Sequence, residues 1–196
     1  MHLVFDIFQG IGVACAVGIR PFLPALAVGA LGAGDVQIDF SNTSFSFLES
    51  TPFLIGMAVG ALVLALLEYR LGSERLESGP LALLIAAASI ALGALLFAGS
   101  LSRGGYAVWP GIVGGVICAG IGILATRPLL ARVRARLDSD SAGFLSPFAE
   151  IAALIAAVLS VLGPPIGVVV LGLLLWLLVA GRGRDEQKFA GLRILC

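Results

Sequence analysis

Apolar residues in this chain come in long blocks, broken by short polar or proline-containing segments, rather than in an amphipathic stripe or an alternating pattern. The blocks are Leu3 to Ile19, Pro52 to Leu67, Pro80 to Leu101, Tyr106 to Thr126, Phe144 to Leu162 and Ile166 to Ala180. Each comes close to the roughly 20 residues that carry a helix across a bilayer, so the pattern predicts six transmembrane helices. A further apolar stretch, Phe22 to Leu31, follows Arg20-Pro21 and contains Pro24. It is short for a span and reads either as the continuation of a long kinked helix or as a re-entrant segment. Residues 32–51 are polar and aromatic and carry Asp35, Asp39 and Glu49 with no Lys or Arg. Prolines 52, 80, 147 and 165 fall near predicted helix starts, where a missing N–H costs little.

Composition moves the chain out of the soluble class. Of 196 residues, 59% are hydrophobic and 12% charged, and the mean hydropathy is +1.08. Soluble domains carry about a quarter charged residues. A disordered chain, a nucleic-acid binder and an ordinary soluble enzyme are excluded, and the lipid bilayer becomes the first expected partner. Glycine, 26 of 196, suits close helix packing. Gly56-x-x-x-Gly60 and Gly111-x-x-x-Gly115 read as contact motifs between helices. The N-terminal segment lacks the basic start of a signal peptide and reads as a retained first span.

Charge changes the picture by its distribution. Arg70, Arg75, Arg127, Arg132, Arg134, Arg136, Arg182, Arg184, Lys188 and Arg193, ten of the twelve basic residues, fall on one side if six spans alternate. Only Arg103 falls opposite, with Arg20 within or beside the first span. The positive-inside rule then places both termini in the cytoplasm of a bacterial inner membrane and the 32–51 loop outside. On this count Asp6, Glu68 and Glu150 all lie toward the cytoplasm. Pro128 to Leu137 reads as a short, separate cytoplasmic helix. Phe40, Phe45, Phe47, Tyr106 and Trp109 fit an outer aromatic belt.

The two halves share an order of motifs. Arg20-Pro21 matches Arg127-Pro128, Phe47 to Phe53 matches Phe144 to Phe148, and Gly79-Pro80 matches Gly163-Pro164. The expected architecture is therefore an all-α integral membrane protein of six spans in two inverted three-helix repeats. Residues 1–101 form the first, 102–180 the second, and 181–196 a cytoplasmic tail.

Ionisable groups inside apolar segments are costly and mark candidate pathways. Arg20, Glu68, Arg127, Glu150 and Asp6 are the candidates for a substrate or ion path. Glu150, about one turn into its span, is the sharpest; its charge needs a partner such as Arg20, Arg70 or Arg127, or contact with water. Ser50, Thr51 and Ser146 sit at helix N-termini, where anions are attracted, although capping is the simpler role. One histidine, His2, excludes a His-based triad or metal site, and no phosphate-binding loop is present. Asp138 and Asp140 could hold a divalent cation only weakly. No catalytic residue, metal site or cofactor is expected.

Gly18-Ile19-Arg20-Pro21-Phe22-Leu23-Pro24, the Phe47 to Phe53 segment, Glu68 and the tail Lys188 to Leu195 are similar to motifs of the bacterial membrane family known as domain of unknown function 4126. The resemblance extends over nearly the whole chain. It implies a multi-span membrane protein and names no activity. From the residues, the expected function is transport or channel-like passage of a small solute or ion. A structural, assembly or lipid-handling role is the alternative, and a metal-dependent membrane enzyme is less favoured. No nucleic-acid partner is expected, and a homo-oligomer is compatible with the pattern.

Overall fold

The computed structural model describes residues 2–72, 79–137 and 143–190. They form seven helices: α1 His2–Ile19, α2 Phe22–Ala33, α3 Thr51–Leu71, α4 Gly79–Arg103, α5 Val108–Arg134, α6 Leu145–Leu162 and α7 Pro164–Ala190, with a 3-10 turn over Ser46–Glu49 before α3. Five of them, α3 to α7, are long and apolar enough to cross a membrane. Leu3–Ile19 and Phe22–Ala33 are shorter apolar helices. Arg75, the Asp138-Ser139-Asp140 loop and the tail beyond residue 190 lie outside the described residues.

Contacts along α1 define the two ends of the bundle. Asp6 pairs with Arg103 at the end of α4. Gly10 meets Phe97, and Gly18 meets Ala119 of α5. Arg20 reaches Glu68 near the end of α3 and Ser146 at the start of α6. At Arg20 the chain makes a last helical bond to the Ala16 carbonyl, 3.2 Å. Pro21 then breaks the ladder, because a residue before proline is pushed out of the helical region. The chain turns back. Gly29 of α2 lies against Leu48 and Phe53, and Leu48 in turn lies against Gly99 near the Arg103 end of α4. α1 and α2 thus make a hairpin whose tip, Arg20-Pro21, is buried inside the bundle. Of the two readings of the Phe22 to Leu31 segment, the reversal is the observed one.

This extra reversal changes the parity of everything after it. Since α2 returns to the Asp6 end, α3 runs toward the Glu68 end, and the helices alternate from there. The start of α1 and the end of α7 consequently lie at opposite ends of the bundle. The grouping of Asp6 with Glu68 and Glu150 is corrected on that ground: Asp6 sits at the far end, paired with Arg103.

The repeat is only partly reflected in the geometry. The Phe47–Phe53 and Phe144–Phe148 motifs open α3 and α6, and the two Gly-Pro pairs open α4 and α7. The hairpins α3–α4 and α6–α7 run in opposite senses. The Arg-Pro pairs are not equivalent: Pro21 reverses the chain, whereas Pro128 lies inside α5, which continues to Arg134. Residues 128–134 are thus the end of a span and not a separate helix. The packing also differs, because α3 packs mainly on α2 and the 3-10 turn while α6 packs on α1, α2 and α7.

α1 is the central helix. Val13, Ala14, Cys15, Ala16 and Val17 have no exposed surface. Glycines let neighbouring backbones approach it and each other. A Cβ on Gly115 would lie 2.5 Å from the Gly93 carbonyl oxygen, and one on Gly111 2.7 Å from Ala98 Cα. The Gly111-x-x-x-Gly115 motif is therefore an α4–α5 contact. Gly60 abuts Phe22, whereas Gly56 faces open space. Residues 34–50 close the Asp6 end, with Ile38, Phe40 and Leu48 as a buried plug. Phe40 is removed from the aromatic belt by this packing; Phe47, Tyr106 and Trp109 remain exposed.

Candidate functional site

Four side chains meet at the hairpin tip. Arg20 Nη1 lies 2.5 Å from Glu68 Oε1, and Nη2 donates to Ser146 Oγ at 2.9 Å. Nε lies 3.4 Å from Glu150 Oε2. Ser146 Oγ donates in turn to Glu68 Oε1 at 3.2 Å. The network links α1, α3 and α6. It exists because Pro21 ends α1 inside the bundle, α6 starts beside it at Leu145, and α3 brings Glu68 to the same level. The Arg20 side chain is only 10% exposed, and those of Glu68 and Glu150 are each 17% exposed. One guanidinium with its fork of donors can hold two carboxylates and a hydroxyl together where a point charge could not.

A cavity of about 50 Å³ adjoins this network, with Arg20, Glu68, Ser89, Thr126 and Arg127 in its lining. Arg127 Nη2 donates to the Ala82 carbonyl at 2.8 Å. Ser89 and Thr126 donate their hydroxyl protons to the carbonyls of Ile85 and Gly122, at 2.9 and 2.6 Å.

The sequence candidates therefore separate. Arg20, Glu68, Glu150 and Ser146 come together, and Arg127 lies across the cavity from them. Asp6 does not join: it is buried against Arg103, which also donates to the Gln37 carbonyl. There an open cleft of about 530 Å³ is lined by Asp6, Asp35, Gln37, Asp39, Arg103 and Tyr106, among others. The Ser41 side chain and backbone N–H both donate to Asp39 and hold its carboxyl below the usual range. Ser50 is an N-cap of α3, accepting from Phe53 N at 3.4 Å, while Thr51 is exposed at its first position. The N-cap position of α6 is Phe144, which offers no side-chain cap, and the Ser146 hydroxyl bonds Arg20 and Glu68. Among the described residues no group of three or more His, Cys, Asp or Glu could hold a metal.

Residues passed over in the sequence also matter. Ser89 and Thr126 line the cavity, yet a single hydroxyl in an apolar block gives little signal, since it can bond its own helix. Gln9 Nε2 donates to the Val161 carbonyl at 3.3 Å. That carbonyl is free because Pro165, four residues on, has no N–H to offer. No curated protein and no solved structure matches the chain. A family model described as a domain of unknown function (DUF4126) matches residues 7–182, and the chain belongs to that family.

Proposed function

We propose that this is a multi-pass protein of the bacterial inner membrane that passes a small solute or ion, as a transporter or channel-like protein, through the region of the Arg20 network. The observation that supports it is a helix hairpin reversing inside the bundle, with a buried Arg20–Glu68–Glu150 network and, at its tip, a small cavity that Arg20, Glu68 and Arg127 help to line. Non-helical backbone at membrane depth is tolerated where it is buried in protein or lines a watery cavity. Charged groups there mark pathways by default. α1 is about 27 Å long and α2 about 18 Å, and the hydrocarbon layer is about 30 Å thick. The hairpin is thus read as re-entrant and α3–α7 as the crossings, in place of six equal spans. The lipid bilayer and the solute are the expected partners, with room for a homo-oligomer.

The Glu68 end carries Arg70, Arg127, Arg132, Arg134 and Arg136, and the Asp6 end carries Arg103. The positive-inside rule assigns the Glu68 end to the cytoplasm, with the start of α1 outside. In a variant with the native cysteines replaced, cysteines at Leu3 and Ser44 should react with an impermeant maleimide from outside, and one at Arg136 only from within. Labelling of positions 3 and 136 from the same side would overturn this arrangement.

Transport itself is testable by swelling of proteoliposomes containing the full chain, challenged with potassium nitrate, potassium formate, potassium gluconate or glycerol in the presence of valinomycin. Passage of at least one probe above empty liposomes is expected, and Glu150→Gln should slow it by about tenfold, as loss of a membrane-embedded charge in the pathway would. A protein that passes none of the probes would refute the reading. Unchanged passage in Glu150→Gln would make that residue structural.

A further inference from the structure

We infer that the cavity between Arg20 and Arg127 is a binding site for a small monovalent anion, held by Arg127; this deepens the transport reading and rests on it for a place in the pathway. The argument begins with charge. Two guanidinium groups and one carboxylate line the cavity. Glu68 is bonded to Arg20 at 2.5 Å, so that pair neutralises itself. The second carboxylate, Glu150, lies on the Nε side of Arg20 and is not part of the lining. Counting the lining alone, Arg127 is left as the net charge, Glu150 lying outside it against Arg20, and among the described residues Arg127 makes no ion pair. Its one hydrogen bond to protein among the described residues, from Nη2 to the Ala82 carbonyl, leaves most of a five-donor group to be satisfied.

A half-buried cation at the end of an apolar span, facing a partly open cavity lined by polar and apolar groups alike, favours a negative ligand. Guanidinium N–H groups arranged as a fork match planar oxyanions, and charge-assisted bonds of this kind are the strong ones. The other lining groups agree. Ser89 is 2% exposed and Thr126 8% exposed. Each hydroxyl bonds its own helix, and each can rotate to donate into the cavity instead, exchanging one hydrogen bond for another. Neither carries a negative charge, so neither repels an anion.

Size narrows the class. The cavity volume is about 50 Å³, against the ~10–15 Å³ needed for one water. It has room for a halide with a water or two, or for a planar anion such as nitrate or formate. A phosphodiester headgroup with its glycerol does not fit. Glu68 has a part in this arrangement: it is the chain's own carboxylate on Arg20 and itself lines the chamber, and an anion entering beside Arg127 meets it as a like charge. The site is thereby set for single occupancy by a singly charged ligand.

The test is calorimetric titration of the purified full chain in detergent with sodium nitrate and sodium formate, at constant ionic strength set by sodium gluconate. Nitrate should bind the wild type. Arg127→Gln should weaken it by about tenfold or more, the scale of a lost charge-assisted hydrogen bond. Arg127→Lys, which keeps the charge, should lie between the two. Arg70→Gln, an exposed arginine at the same end and outside the cavity, should bind as the wild type does. Should Arg127→Gln not fold, Ser89→Val, which fills the cavity without altering charge, should weaken nitrate by at least about threefold. No nitrate or formate binding to a folded wild type overturns the inference, as does equal binding by folded Arg127→Gln. Competition by short-chain phosphatidylglycerol would assign the site to a lipid headgroup and also overturn it. Because binding is read without flux, the two readings fail separately. Binding without passage refutes transport alone, and passage of glycerol without anion binding refutes the anion site alone.

Discussion

Replacing Arg20 by methionine is expected to cost about 3–5 kcal/mol, the penalty for leaving buried carboxylates without their counter-charge. Glu68 and Glu150 would face each other across the space the guanidinium occupied, and Ser146 could satisfy only part of one. For a chain of this size 1 kcal/mol corresponds to roughly 2–4 °C, so the melting midpoint in detergent should fall by about 10 °C. The triple variant Arg20→Met, Glu68→Met, Glu150→Met should recover most of that loss, since an apolar replacement of a whole buried ion network is often neutral. Stability therefore does not require these charges as a set, although each requires the others. A midpoint for Arg20→Met within about 2 °C of the wild type would mean that the carboxylates reach water easily.

The second large effect is expected at glycines where helix backbones touch. A Cβ on Gly167 would lie 2.0 Å from the Phe8 carbonyl oxygen, and one on Gly18 2.3 Å from that of Ala119. Both obstacles are backbone, so no rotamer change relieves them; α1 must move from α7 or α5. Overpacking typically costs about 1–3 kcal/mol, and Gly167→Ala and Gly18→Ala should reach or exceed the upper end. Gly120 and Gly172 have nothing within 4 Å of the added atom. Gly120→Ala and Gly172→Ala should be neutral or stabilising by up to about 1 kcal/mol, because alanine loses less backbone entropy in a helix. Thermal melts of the four variants check the contrast. Equal destabilisation in both pairs would show that glycine is needed for something other than these contacts. The same pairs should separate in function, since Gly18 lies two residues from the Arg20 network and Gly172 lies away from it.

The residues of the candidate site were legible one at a time. Arg20 between two apolar runs, Glu150 just inside a span and Glu68 at the end of one are each expensive in lipid, and that cost is a property of the residue and its neighbours in sequence. Their assembly was not legible. Whether Arg20 meets Glu150 depends on which way α1 runs relative to α6, and the same chain direction places Asp6, an equally costly residue, against Arg103 instead.

The sequence by itself determined the class of this protein. Blocks of apolar residues about as long as a bilayer is thick specify membrane helices, because transfer into lipid depends on local composition. Helix starts near Pro52, Pro80 and Pro165 were likewise local, set by proline and capping chemistry. What only the tertiary structure decided was parity and pairing. Arg20-Pro21 and Arg127-Pro128 are the same dipeptide, yet one reverses the chain and the other lies within a helix. A proline removes one hydrogen bond in either case; what differs is whether the neighbouring surfaces reward a reversal. At Pro21, Glu68, Ser146 and Glu150 satisfy the buried tip and α3 and α6 receive α2. At Pro128 the helix continues, and Arg132 Nε bonds the Pro128 carbonyl at 3.0 Å. Those partners come from residues 48 to 130 positions away from Arg20, a distance over which no periodicity in the sequence carries information.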